Sequence, residues 1–261
     1  MLKSIQCLVF GLIISMLGGL IGLGGAEFRI PVLVTMLAVP IFYTIPINLL
    51  ISIVTVVFSF LFRSFYLDHR MVIENIHVIF ILTTGSIIGA YCGAGLSNRI
   101  NLRIFKKLVF ALLISLSIML IVSGAIGGNY KGLNLGIVEM VITGFVAGVV
   151  IGAFSSLLGV AGGELIIPAI ILIFSLDIKI AGTLSLLISI PTIFIGLYKH
   201  CKNIEKVNYL KKNIRIPLLF IASSIPGAYI GSSMIVYVQS EVIKIILGII
   251  LAISSVKMLF D

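Results

Sequence analysis

Leu20-Ile-Gly-Leu-Gly-Gly-Ala-Glu-Phe-Arg-Ile-Pro-Val-Leu33 returns 137 residues later as Leu157-Leu-Gly-Val-Ala-Gly-Gly-Glu-Leu-Ile-Ile-Pro-Ala-Ile170. Gly22, Gly25, Glu27, Ile30 and Pro31 recur as Gly159, Gly162, Glu164, Ile167 and Pro168. A glycine break, a carboxylate and a proline thus repeat together. The surrounding chain is 60% hydrophobic and only 10% charged. A soluble core of 261 residues has no use for that much apolar surface, so lipid is the solvent for most of it. Paired helix breaks at membrane depth point to a transporter with two similar halves.

The repeat reaches beyond the motif. Leu49-Leu-Ile-Ser-Ile53 matches Leu186-Leu-Ile-Ser-Ile190 at the same offset. At an offset of 138, Gly89-Ala-Tyr91 matches Gly227-Ala-Tyr229, Gly93 matches Gly231 and Lys106 matches Lys244. The expected division is a first transmembrane repeat over 1–134 and a second over 135–261, joined through the turn Gly127-Gly-Asn-Tyr-Lys-Gly132.

Long apolar segments fall at 4–24, 45–66, 75–96, 107–124, 135–158, 180–198, 214–236 and 242–260. Most approach the length that spans hydrocarbon as a helix, and none alternates as barrel strands do. Two shorter apolar stretches, 28–39 and 165–176, follow the glycine motifs and are too short to span comfortably. The expectation is an all-α, multi-pass protein of about eight transmembrane helices in two four-helix repeats. Each repeat would carry one short re-entrant or broken helix.

The net charge of +9 does not argue for nucleic acid, because the basic residues sit in short loops between apolar segments. One cluster is Arg99, Arg103, Lys106 and Lys107; the other is Lys199, Lys202, Lys206, Lys211, Lys212 and Arg215. Placing both in the cytoplasm satisfies the positive-inside rule best. That inverts the halves and requires each short stretch to cross. If the short stretches only re-enter, the halves are parallel. The sequence leaves both arrangements open, and oligomeric state too. The apolar run after Lys3 reads as the first membrane helix rather than a cleaved signal.

Cys7, Cys92 and Cys201 show no metal-ligand or disulfide spacing and read as packing residues. His69, His77 and His200 are scattered and suggest no chemistry. No metal and no cofactor is indicated.

The glycine motifs are the first candidate site. Gly22, Gly24 and Gly25, with Gly159, Gly162 and Gly163, let backbone turn sharply and approach a ligand. Pro31 and Pro168 suit the first turn of the short helices that follow. Helix starts offer unpaired N–H groups and partial positive charge to an anion. Tight helix packing is the plainer reading of one motif alone.

Glu27 and Glu164 are candidate proton carriers, since a carboxylate at membrane depth is costly and usually has a partner or a task. Capping of the following helix is the structural alternative. Arg29, with Ile166 at its equivalent place, could bind an anion or pair with Glu27. Asn48, Ser52 and Thr55 lie four and three residues apart, as do Ser185, Ser189 and Thr192. Each trio falls on one helix face, as a neutral oxyanion cradle or as polar glue between helices. Gly85, Gly89 and Gly93, and Ser223, Gly227 and Gly231, read as close-packing stripes.

The two elements Gly22-Leu-Gly-Gly-Ala-Glu-Phe-Arg-Ile-Pro31 and Gly159-Val-Ala-Gly-Gly-Glu-Leu-Ile-Ile-Pro168 resemble the mark of the TauE/SafE family, the sulfite exporter or toluene-sulfonate uptake permeases. The resemblance covers essentially the whole chain. Ala26 and Ala161 stand where the family pattern has glycine. The resemblance implies movement of a small sulfur oxyanion or organosulfonate across the cell membrane, coupled to protons. Substrate would then bind between the halves, which rock against each other. The alternative is an ion channel or cation transporter using Glu27 and Glu164. An enzyme is not expected, because no nucleophile–base pair, zincin motif or ATP-binding Gly-x-x-x-x-Gly-Lys-Ser/Thr is present.

Overall fold

The glycine-rich motifs divide the chain, and the helices around them follow from its apolar runs. The computed structural model describes residues 2–96, 102–126, 133, 135–158 and 160–260. Every regular element among them is helical: α1 Leu2–Ile21, α2 Ala26–Pro31, α3 Ile41–Arg63, α4 His69–Glu74, α5 Ile76–Leu96 and α6 Leu102–Ile126. There follow α7 Ile137–Leu158, α8 Gly163–Phe174, α9 Ile178–Cys201, α10 Ile204–Lys212, α11 Arg215–Met234 and α12 Ser240–Phe260. Six of these, α1, α3, α5, α7, α9 and α11, are long and apolar enough to cross a membrane. The protein is therefore a multi-pass, all-helical membrane protein. Its Arg99 and the turn at 127–132 lie outside the described residues.

The prolines of the two motifs do not sit in a first turn. Gly25 and Gly162 take left-handed backbone, with φ of 67° and 76°, and act as N-caps. The helices begin directly after them, so Pro31 closes α2 and Pro168 lies inside α8. Glu27 and Glu164 occupy the first turns instead. Pro31 lacks an N–H for the i→i−4 ladder, and the chain continues from it as a π-helical segment, Val32–Met36.

The short helices fold back along the helices before them. A Cβ on Gly25 would lie 2.6 Å from the Ile14 side chain, and one on Gly162 3.3 Å from Ser155. The stretch after α2 returns to the start of α1, where Lys3 Nζ donates to the Leu37 carbonyl at 3.5 Å. Consequently α3 sets out from the same end as α1.

Contacts along the helices give their relative directions. Ser223 of α11 reaches the Cys7 carbonyl of α1 at 3.5 Å. Further along, a Cβ on Gly231 would stand 1.9 Å from the Met16 carbonyl oxygen. These helices run parallel with backbones almost touching, as their small-residue stripe predicts. The pair α5 and α7 is also parallel: Gly85 faces Phe145, and Gly93 faces Ala153. By contrast α3 and α9 are antiparallel, with Arg63 against Lys179 and Leu49 against Gly196. So are α6 and α12, where Ser117 donates to the Gly248 carbonyl at 2.7 Å and Gly124 faces Glu241.

The ends of the bundle differ in charge. One gathers Lys3, Lys199, Lys202, Lys206, Lys211, Lys212 and Arg215. Tyr43, early in α3, stacks on Tyr209 of α10 at 4.0 Å and donates to Glu205 at this basic end. The opposite end carries Asp68, Glu74, Glu139, Asp177 and Glu241, and there Ser240 donates to Asp177 at 3.1 Å.

Candidate functional site

The two helix breaks meet. A Cβ on Gly24 would stand 2.5 Å from the Ala161 Cβ, and one on Gly163 would stand 3.1 Å from the Leu23 side chain. From these breaks Glu27 and Glu164 reach one another, close enough for their carboxylates to interact directly. Glu164 also contacts Ser254 of α12. Both Glu27 oxygens are sealed from solvent, and neither has a hydrogen-bond donor in normal geometry. Two acidic side chains thus occupy the first turns of α2 and α8, where the helix dipole favours negative charge.

Arg29 turns back onto its own motif. Nη2 donates to the Gly24 carbonyl and Nε donates to the Gly25 carbonyl at 3.3 Å. Its charge attracts that of Glu27, while Nη1 has no acceptor. The residue is fully buried. The guanidinium therefore holds the first glycine turn in place and balances one carboxylate beside it.

The polar trios surround the breaks but divide in role. Asn48 donates to the Ala26 carbonyl at 3.1 Å and Ser185 to the Gly22 carbonyl at 2.6 Å, so both secure the first motif. Thr55 donates to Ile51 on its own helix. Thr192 donates to Ile188 and shares a 2.8 Å hydrogen bond with Ser86 of α5. Ser189 is buried. Ser52 is also buried, lies next to Gly24 and has no hydrogen-bond partner. The structure brings Gly22, Gly24, Gly25, Gly163 and these side chains to one centre, and Gly162 caps α8 beside them. Gly159 lies outside the described residues.

Two basic groups escaped sequence reasoning. Arg63 ends α3 and is completely buried. Its Nη2 makes one long bond to the Lys179 carbonyl at 3.4 Å, and Nε and Nη1 have no acceptor. His200 stands 137 residues further on, at the matching end of α9. Lys206 Nζ lies 3.1 Å from His200 Nδ1, and His200 Nε2 faces the Ser156 carbonyl at 3.5 Å. Burial lowers the pKa of the Lys206 amine, which also sits over the Phe42 ring at 4.2 Å. The repeat offset was the signal that could have paired Arg63 with His200.

The geometry has two helix breaks meeting at a pair of sealed carboxylates in a lipid-embedded bundle, and known proteins can be set beside it. The "Sulfite exporter TauE/SafE" family model matches residues 7–258. A "Probable membrane transporter protein YunE" of Bacillus subtilis (strain 168) is 26% identical over 274 residues, covering 97% of this chain and 96% of that protein. No solved structure matches the chain. The family match takes in both glycine–glutamate–proline breaks and all the long helices, and the chain belongs to the TauE/SafE family of membrane transporters.

Proposed function

We propose that the protein is a proton-coupled secondary transporter of a small anion, with sulfite or an organosulfonate as substrate, in the cell membrane. One observation carries the reading: Glu27 and Glu164 meet at the junction of two broken helices, sealed from water. Two carboxylates in contact away from water repel strongly when both are ionised, so such a pair is suited to holding and releasing a proton. The uncapped glycine turns, the free Arg29 Nη1 and the free Ser52 hydroxyl supply donors for an oxyanion near that proton.

In this reading residues 1–134 and 135–261 are inverted repeats, each with four spanning helices and one re-entrant helix. The parallel pairs α1–α11 and α5–α7 and the antiparallel pairs α3–α9 and α6–α12 support it, since a two-fold axis in the membrane plane generates all four. The basic end faces the cytoplasm. The moving bodies are not the sequence halves, because α1 is packed on α11 and α5 on α7. Access alternates between a body built on α1, α3 and α11 and another built on α5, α7 and α9.

The competing reading is a cation transporter or channel in which the two carboxylates bind the ion, and their direct contact is the observation in its favour. Protein in liposomes under an imposed pH gradient separates the two. Accumulation of sulfite or an organosulfonate that follows the gradient supports the anion reading. Cation flux with no movement of these anions overturns it.

A further inference from the structure

Arg63 is a cation without a counterion. No carboxylate pairs with it among the described residues, and two of its three nitrogens have no acceptor although none of the residue is exposed. Acids are not scarce at this end of the bundle. Asp68 accepts from the Arg70 N–H at 2.9 Å and Asp177 from the Lys179 N–H at 2.9 Å. They cap α4 and α9 and leave the guanidinium alone. A buried charge in this condition costs several kcal/mol unless something supplies charge and acceptors.

The space around it is made by glycine. Nη1 would lie 2.4 Å from a Cβ on Gly22 and 2.8 Å from one on Gly182. Gly22 belongs to the first helix break, and Ser185 ties its carbonyl to α9 at 2.6 Å. The charge is therefore wedged between the break and the neighbouring helix, not snorkelled toward solvent. It lies toward the acidic end, away from the Lys206–His200 pair that occupies the matching position at the basic end.

We propose that Arg63 forms an anion-recognition subsite at the acidic end of the transport path, taking a sulfur oxyanion against Nε and Nη1. The planar guanidinium suits an oxyanion with several acceptor oxygens better than a monatomic anion. An anion bound there sits beside Gly22 and is handed from the Arg63 charge toward the glutamate pair. The repeat-related Lys206–His200 pair is the corresponding stop at the other face. This subsite rests on the anion-transport reading.

The test is equilibrium binding of radiolabelled sulfite, and separately of labelled methanesulfonate, to the purified full chain in detergent. Arg63→Gln is expected to weaken binding at least ~10-fold, and Arg63→Lys by ~3-fold or more, because lysine keeps the charge but not the fork. Size-exclusion profile and helicity check that each variant is folded. If Arg63→Gln does not fold, Arg63→Lys decides alone. Wild-type binding with unchanged affinity in the folded variants overturns the Arg63 subsite and leaves anion transport standing. Failure of the wild-type protein to bind either anion at millimolar concentration overturns both.

Discussion

Gly24 and Ala161 occupy equivalent places 137 residues apart and face each other, so that a Cβ on Gly24 would fall 2.5 Å from the Ala161 methyl. Near a two-fold axis a residue meets its own counterpart. The gap between these two backbones admits one methyl group and not two. The departure of position 161 from glycine is thus compensated by retention of Gly24.

This relationship makes a reciprocal prediction. Gly24→Ala alone overpacks the centre and costs about 1–3 kcal/mol of stability. Ala161→Gly alone costs less than about 1 kcal/mol, mainly through backbone entropy. The double exchange recovers most of the Gly24→Ala loss, because Gly24 has no positive φ that would forbid alanine. Thermal unfolding of the four proteins in one detergent measures the coupling. Strict additivity would refute the shared-methyl account.

Glu27→Gln and Glu164→Gln each remove one member of the carboxylate pair. Either change is expected to reduce accumulation driven by a pH gradient at least ~10-fold. Exchange of labelled for unlabelled anion, which needs no net proton movement, falls less. Parallel flux assays in liposomes read both quantities. Unchanged gradient-driven accumulation in both variants removes the pair as proton carrier.

Arg29 and Glu27 should couple in stability. Arg29→Met frees the Gly24 and Gly25 carbonyls and leaves the Glu27 charge without its neighbour. Breaking such a buried set costs about 3–5 kcal/mol. In a Glu27→Gln background the same change costs less, since no carboxylate is stranded. A double-mutant cycle on melting in detergent gives the coupling, and a value near zero contradicts the arrangement.

The helix directions place Ser64, just past α3, and Cys201, at the end of α9, at opposite ends of the bundle. In spheroplasts an impermeant maleimide should label Ser64→Cys in a Cys201→Ser background, and should reach native Cys201 only after the membrane is opened. Labelling of both from the same side would require parallel repeats and a different bundle.

Much of the architecture was legible in the chain. Long apolar runs could only be membrane helices, and glycine followed by glutamate could only be a break with a carboxylate at depth. The repeat showed that there are two such breaks. Misplacing Pro31 and Pro168 in a first turn came from weighing proline above glycine. Left-handed Gly25 and Gly162 start the helices several residues earlier.

The sequence by itself determined that this is a lipid-embedded helical protein with a duplicated broken-helix motif, because composition, segment length and recurrence are properties of the chain alone. Only the tertiary structure decided that α1 lies parallel to α11, that Glu27 meets Glu164 and that Arg63 is buried beside Gly22 and Gly182. The reason is the solvent. In water the apolar face of a helix reveals its packing side, but in lipid the outer and inner faces are both apolar. Partner and direction then depend on close fits such as Gly231 against Met16, which appear only once the helices are assembled.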